Sequence, residues 1–271
     1  LRYYNIQALD SVQEPRMAVE NLMFRSTFYA AGAHGHVRLW ELTNTRFLLG
    51  LAGNLHDVLN EQFDPELRRF RTHTMFTLTQ ETPGGAIGVQ TNTTGPYALI
   101  EFTGTLPRAT LYFDWVIVTN DNAALQLLVN REFNPHAKVV VCSDVVKLPT
   151  HSTDTNAVLA ARVEFVSYSP KRVVLRARAP AQGIVLLNDR YDPNWSAFVD
   201  GQRTELLRCN YLMRGVVVPP GEHTIEFTFQ IPQTPLMISV AGILTGVTLL
   251  CVLLVAGGRS TPPSTADHEM T

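Results

Sequence analysis

Short runs of strand-forming residues fill the second half of the chain, and one long apolar run follows them. Turn-forming sequences such as Ser-Pro, Asp-Pro-Asn, Asp-Gly and Pro-Pro-Gly separate the short runs at intervals of roughly 8–12 residues. This spacing is typical of an all-β sandwich of about seven strands. The strands are expected at residues 161–168, 172–177, 183–187, 196–200, 204–209, 215–218 and 223–229.

The long apolar run, residues 236–256, contains no charged side chain. As a helix rising about 1.5 Å per residue, it reaches the roughly 30 Å needed to cross the hydrocarbon core of a bilayer. A long core helix is the alternative, but the length favours a transmembrane helix that contacts the membrane lipid bilayer. Pro232 and Pro235 end the preceding strand because proline donates no backbone hydrogen bond.

A polar, proline-rich tail at residues 257–271 follows the helix and is expected to be disordered. Arg259 lies directly after the apolar run. Because basic residues favour the cytoplasmic side, Arg259 predicts a cytoplasmic C-terminal tail and extracytoplasmic domains at the cell membrane.

The first half of the chain mixes helical and strand patterns. Helices are expected at 37–42, 54–63 and 122–131, and strands at 46–50, 71–79, 97–103, 108–118 and 138–142. A short connection between the strands at 97–103 and 108–118 predicts an antiparallel hairpin. The strand, helix and strand that end this half predict an α+β N-terminal layer.

A polar stretch at residues 147–156 is the best candidate for a domain boundary. The expected organisation is an α+β extracytoplasmic domain at 1–147, a β-sandwich domain at 157–231, a transmembrane helix at 236–256 and a tail at 257–271. The chain begins without a signal-like segment. We therefore expect either that a signal was removed or, as we prefer, that this is the C-terminal part of a longer membrane protein.

Composition and charge narrow the functional classes. Hydrophobic residues make up 45% of the chain and charged residues 17%, which excludes disorder for most of it. A formal net charge of −2 without Lys/Arg runs gives no surface for phosphates, so we expect no nucleic-acid binding. Cys251 lies in the apolar run, and Cys142 and Cys209 are expected to be buried free thiols, with a disulfide between them as the alternative.

Several segments of the second half resemble the C-terminal region of bacterial YfhO-type membrane proteins. The matching segments are Leu187-Asn-Asp-Arg-Tyr-Asp-Pro-Asn-Trp195, Phe198-Val-Asp-Gly201, Arg208-Cys-Asn-Tyr211, Arg214-Gly-Val-Val-Val-Pro219 and Pro220-Gly-Glu-His-Thr-Ile-Glu-Phe227, followed by the apolar helix. Upstream, residues 42–49 resemble the family's Leu-x-Asn-x-Arg-Tyr segment. The resemblance is specific over about 70 residues and looser over most of the chain.

The resemblance implies a large polytopic protein of the glycosyltransferase-C type. Such a protein would move a sugar from a polyprenyl-phosphate carrier to a cell-envelope glycan outside the cytoplasm. The multi-helix membrane body and its acidic loop are missing from this chain, so no catalytic residue is carried over. We expect this piece to be non-catalytic and to cover the site or orient the acceptor, with a non-enzymatic, membrane-tethered carbohydrate-binding or scaffolding module as the alternative.

The turn between two predicted strands carries the candidate glycan-binding residues. Tyr191 and Trp195 offer aromatic faces that suit a pyranose ring, and Asp189 or Asn194 can accept hydrogen bonds from sugar hydroxyls. The other interpretation makes Trp195 a core anchor and the Asp-Pro-Asn sequence a corner. We prefer the core interpretation because large aromatic residues are mostly buried.

Other groups of polar residues are weaker candidates. Calcium-type oxygen ligands occur at 188–194, without the spacing of a loop site, and His34 and His36 have no third zinc ligand nearby. A nucleophilic triad lacks the Gly-x-Ser-x-Gly elbow around its serine. Its residue types occur at Asp144, His151, Ser152 and Asp154. We therefore expect no metal, no cofactor and no catalytic residue.

Overall fold

A computed structural model describes residues 17–80, 84–143, 161–231 and 234–257. The helices are α1 (Val19–Ala30), α2 (Gly32–Leu42), α3 (Leu55–Val58), which continues as a π-helical turn (Leu59–Phe63), α4 (Asp121–Val129) and α5 (Thr234–Gly257). The first seven strands are β1 (Phe47–Leu51), β2 (Phe70–Gln80), β3 (Ile87–Asn92), β4 (Tyr97–Phe102), β5 (Ala109–Tyr112), β6 (Trp115–Val118) and β7 (Val139–Cys142). The remaining strands are β8 (Arg162–Ser169), β9 (Arg172–Ala179), β10 (Gly183–Arg190), β11 (Trp195–Val199), β12 (Gln202–Thr204), β13 (Leu207–Cys209), β14 (Met213–Val218) and β15 (Gly221–Phe229).

The β-sandwich expected from the turn spacing is present. A five-stranded sheet in the order β12-β11-β15-β9-β8 packs against a six-stranded sheet in the order β5-β10-β14-β13-β7-β6. Leu175, Ile225 and Phe227 of the first sheet meet Val185 and Val216 of the second in one fully buried cluster. Along β15 the buried Ile225 and Phe227 alternate with more exposed residues, as in a sheet with one face toward solvent. Strand β10 is instead buried on both faces, because Ile184 and Leu186 pack in a second cluster.

The six-stranded sheet joins the two halves of the chain. Its strands β5, β6 and β7 precede the expected domain boundary, whereas β10, β13 and β14 follow it. The described residues up to Phe229 form one compact unit, and α5 belongs to a second unit. The two segments expected as separate domains therefore share one sheet, while the boundary stretch itself, 147–156, lies outside the described residues.

A strand–helix–strand unit forms one edge of this sheet. Strands β6 and β7 pair in parallel, as the pattern predicted, and α4 connects them. Asn120 caps α4, because its side-chain oxygen accepts hydrogen bonds from the backbone N–H groups of Asn122 and Ala123. The buried face of α4 packs with Phe28 of α1 and Leu42 of α2, which makes the helical part of the fold.

The third sheet has four antiparallel strands in the order β1-β4-β2-β3. One of its faces packs against α2 and α3 through a cluster that includes Val37, Leu59 and Ile100. The hairpin expected between 97–103 and 108–118 is wrong. Strand β4 pairs with β1 and β2, whereas β5 joins β10 in another sheet. The apolar run at 108–118 is two strands, separated at Phe113 and Asp114.

The C-terminal helix α5 matches the expected apolar run. Leu236–Ala256 has 21 residues with a mean hydropathy of 2.6, so its length and composition allow it to cross a membrane. The hydroxyls of Thr245 and Thr248 donate to the carbonyls of Ala241 and Leu244 one turn earlier, which satisfies both hydroxyls inside the helix. Arg259 and the tail lie outside the described residues, and the sidedness of the helix stays a prediction.

Candidate functional site

A cleft of about 180 Å³ opens where α1 meets the β10–β11 and β13–β14 turns. It is lined by Glu20, Arg190, Tyr191, Asp192, Pro193, Arg208, Tyr211 and Leu212. Ligand pockets usually measure roughly 300–1,000 Å³, so this cleft suits one ring-sized group rather than a whole oligosaccharide. Of the four sequence-predicted glycan-binding residues, Tyr191 lines it.

Two arginines give the cleft its hydrogen-bond donors. Arg208 makes a double contact with Asp121, at 3.0 and 3.3 Å, and its Nε donates to the carbonyl of Tyr211 at 2.7 Å. Arg190 lies 3.8 Å from Glu20 with both side chains about half exposed, which is a loose ion pair. One arginine is thus held in place, and the other is free to exchange its carboxylate partner for a ligand.

The β13–β14 turn forms one wall of the cleft and is tied to the sheet. Asn210 is fully buried, and its side-chain oxygen and backbone N–H exchange hydrogen bonds with the backbone of Val140. Asn210 and Tyr211 both have positive φ angles of 44° and 67°, a conformation that Asn tolerates better than most residues. The Tyr211 ring stacks on Phe24 of α1, and burial raises its pKa.

Tyr191 forms the opposite wall. Its backbone N–H donates to the carbonyl of Leu212 at 2.7 Å, which connects the two turns across the cleft. The side chain is half-buried, so part of its surface is available to a ligand. Because both turns are fixed by backbone hydrogen bonds, the cleft exists before any ligand arrives.

Asp192 and Asn194 build the corner that positions Tyr191. One carboxylate oxygen of Asp192 accepts hydrogen bonds from the backbone and side-chain N–H groups of Asn194, both at 2.8 Å. The backbone N–H of Trp195 donates to the Asp192 carbonyl. This is the turn geometry that Asp favours, and it occupies the Asn194 amide in the corner rather than in the cleft.

Asp189 lies behind the cleft and bridges two arginines. Its Oδ1 accepts from Arg108 at 3.0 Å and its Oδ2 from Arg214 at 3.0 Å, and Arg214 also donates to the carbonyl of Arg190 at 2.9 Å. The Arg214 side chain is 3% exposed and that of Asp189 is 12% exposed. Burial lowers the pKa of Arg214 to about 10. Asp189 therefore neutralises a buried cation, and its oxygens are not directed at a sugar.

Trp195 also makes contacts with the protein itself. The guanidinium carbon of Arg214 lies 3.8 Å from the centre of its ring, and the ring of Phe229 is 5.4 Å away. The side chain packs against the sandwich core. A cation over the ring occupies a face that a sugar would need, which favours the core interpretation of Trp195.

Replacing Trp195 by alanine is expected to lower the free energy of unfolding by about 2 kcal/mol. The ring is half-buried, so the loss falls below the ~3–5 kcal/mol of a fully buried tryptophan. Thermal unfolding measures the change, and Trp195→Phe, which retains a ring under Arg214, is expected to recover part of it. An unchanged melting temperature combined with lost glycan binding would instead make Trp195 part of the binding surface.

The weaker candidates do not converge on a site. His34 bonds to the carbonyl of Val129, whereas His36 bonds to that of Gly32, so the two rings serve different partners. Within the described ranges, no group of three or more His, Cys, Asp or Glu side chains is placed to hold a metal. Cys142 and Cys209 are free thiols, and Cys142 is only half-buried. The triad candidates Asp144, His151, Ser152 and Asp154 lie outside the described residues.

Sequence reasoning missed four polar residues that line the cleft: Glu20, Arg190, Arg208 and Tyr211. Arg208 and Tyr211 belong to a segment that carries the family resemblance, but no chemistry was assigned to them. The signal that could have found this wall is the Cys-Asn-Tyr-Leu sequence, since Asn between two strand patterns indicates a tight turn. Nothing in the local sequence places Glu20 beside this turn.

Comparisons of the chain with models of known protein families, with curated proteins and with solved structures found no match. The fold and the cleft are therefore interpreted from their own geometry. The YfhO-type resemblance remains an expectation that rests on the sequence segments given above.

Proposed function

We propose that this chain is the extracytoplasmic C-terminal part of a YfhO-like membrane glycosyltransferase and that its cleft binds the acceptor glycan. The observation that carries the proposal is the cleft itself, in which Tyr191 lies beside Arg190 and Arg208. The sequence resemblance supports sugar transfer as the reaction of the parent protein, and the apolar helix supports attachment to a membrane.

The lining suits a sugar in both shape and chemistry. A tyrosine ring packs against the apolar C–H face of a pyranose, while guanidinium and carboxylate groups pair with its hydroxyls. Donors on Arg190 and Arg208 and acceptors on Glu20 and Asp192 surround the same space. Their charges balance, which fits a neutral ligand better than an anionic one.

In this proposal, catalysis and acceptor binding belong to different parts of the parent protein. Transfer from a polyprenyl-phosphate sugar needs a positioned base and cationic groups on the leaving phosphate, held at the membrane. We assign those groups to the membrane body of the parent protein. This cleft would hold one residue of the envelope glycan and orient the acceptor toward that body.

The alternative function is a non-enzymatic, membrane-tethered carbohydrate-binding or scaffolding module. The small, charge-balanced cleft supports this function equally well, because it needs no catalytic partner. The reading frame upstream of Leu1 distinguishes the two. About ten further hydrophobic segments support the transferase, whereas a simple signal peptide supports the module.

Changing Tyr191 to alanine is expected to weaken glycan binding about tenfold, which corresponds to about 1.4 kcal/mol of lost contact. The full chain in lipid nanodiscs is titrated with hexose and N-acetylhexosamine oligosaccharides by saturation-transfer NMR. Tyr191→Phe retains the ring and is expected to bind nearly as well as the wild type.

Tyr97→Ala, in the four-stranded sheet, is the matched control and is expected to leave glycan binding unchanged. If the wild-type chain binds none of these glycans at millimolar concentration, or if Tyr191→Ala binds as well as the wild type, the cleft is not a glycan site.

A further inference from the structure

One face of the four-stranded sheet is apolar and exposed. It carries Phe47, Leu49 and Leu51 on β1, Leu78 on β2, and Ile87 and Val89 on β3, which are between 41% and 70% exposed. We call these six residues the apolar face. Soluble proteins rarely leave a contiguous apolar surface of this kind in water, and such surfaces mark contacts with proteins or membranes.

Strand register places these residues together. Leu51 is opposite Tyr97, which is opposite Phe76 on the next strand, and Leu78 is opposite Val89. Directly opposed residues point to the same side of a sheet. The other side of this sheet is the one that packs against α2 and α3, so the apolar face looks away from the core.

Charge is confined to one end of the apolar face. There Glu101 is opposite Phe47 and Arg71, and Arg46 bonds to Glu101 at 2.7 Å while its guanidinium lies 5.2 Å from the Phe47 ring. The exposed His73 also contacts Phe47. With two arginines and one glutamate, this end of the apolar face carries a net positive charge. The strand residues around Leu78, Ile87 and Val89 are uncharged.

We propose that the apolar face lies on the surface of a membrane that contains anionic lipid. Its aliphatic side chains enter the boundary between headgroups and acyl chains, and Arg46 and Arg71 pair with anionic headgroups. The edge strands β1 and β3 carry unpaired backbone groups, which need water or headgroups as partners. The sheet therefore rests at the interface and does not enter the hydrocarbon core.

The candidate membrane helix in the same chain supports a lipid partner over a protein partner. Only residues 230–233 separate β15 from α5, so a helix inserted in a bilayer holds the folded unit at its surface. Tethering raises the effective concentration of lipid, and a weak contact then suffices. The proposal concerns the sheet alone and does not depend on the glycan cleft.

Spin labels on the full chain in vesicles test the contact. A nitroxide is placed at Leu49→Cys or Val89→Cys, with Gln90→Cys on the opposite side of β3 as the matched control, in a background with Cys142→Ser and Cys251→Ser that leaves only the fully buried Cys209. The vesicles contain phosphatidylcholine with or without phosphatidylglycerol. In a chain that carries only Cys142→Ser, a label on the native Cys251 reports whether the helix is inserted, so failed reconstitution is recognised separately.

Compared with the label at 90, the labels at 49 and 89 are expected to show several-fold higher collision rates with oxygen. Their collision rates with a water-soluble nickel complex are expected to be several-fold lower. Equal exposure of all three labels to the nickel complex would overturn the proposal. Protection from both reagents with dipolar broadening between labels would overturn it too, because it shows that a second copy covers the face.

Charge variants test the anionic requirement. Arg46→Gln with Arg71→Gln is expected to weaken the phosphatidylglycerol-dependent part of the contact by roughly fivefold for each arginine. Arg176→Gln with Arg203→Gln removes the same charge from exposed positions of the five-stranded sheet and is expected to have no effect. An equal loss in both double variants would remove the role assigned to Arg46 and Arg71.

Discussion

Ending the chain after Ile231 is expected to move the protein from the membrane fraction into solution. The truncation removes α5, whose 21-residue apolar segment supplies the main membrane attachment. The described residues up to Phe229 form a compact unit with its own core, so the shortened chain retains what it needs to fold. Fractionation at high ionic strength measures the change, because salt weakens any remaining contact between the arginines and anionic lipid.

The full-length chain is the control and is expected to stay with the membranes after the same salt wash. Circular dichroism of the released protein shows whether the β-sandwich is intact. Recovery of the full chain as a soluble monomer without detergent would contradict the assignment of α5 as a transmembrane helix.

Local patterns predicted most of the elements. Strands β8 to β15 lie close to the seven expected runs, and one expected run, 204–209, is divided into β12 and β13. Turn residues between apolar runs carry this information locally, because Pro, Gly, Asp and Asn fix the backbone over a few residues. The long α5 follows from the same kind of local signal.

Strand pairing could not be predicted in the same way. Strand β5 pairs with β10, more than 70 residues later, and not with its neighbour β4. No local sequence feature encodes that choice, since it depends on which buried faces fit together across the sandwich. Helix α1 was missed because its apolar stripe is short: only Phe24 and Phe28 are buried, while Leu22 and Met23 are exposed.

The roles of the candidate site residues also could not be predicted from local sequence. The segment 187–195 was identified from local chemistry, and the cleft opens beside it. Alternation along the strand, however, turns Asp189 toward Arg108 and Arg214, which are distant in sequence. Partners 81 and 25 residues away cannot be inferred from the segment itself, so the distinction between binding and structural residues needed the structure.

Replacing Asp189 by asparagine is expected to lower the free energy of unfolding by about 3 kcal/mol. The substitution preserves size but leaves two arginines facing each other without the carboxylate between them. The unpaired charge of Arg214 contributes most of this destabilisation, because its side chain is almost fully buried and cannot reach water. Chemical denaturation monitored by tryptophan fluorescence gives the change.

Asp192→Asn is the matched control, since it removes a nearby negative charge yet keeps the oxygen that accepts from Asn194. It is expected to change stability by less than about 0.5 kcal/mol. The double variant Asp189→Asn with Arg214→Met removes the buried cation along with its partner, and it should be more stable than Asp189→Asn alone. If Asp189→Asn unfolds like the wild type but loses glycan binding, Asp189 belongs to the cleft and the structural role given to it here is wrong.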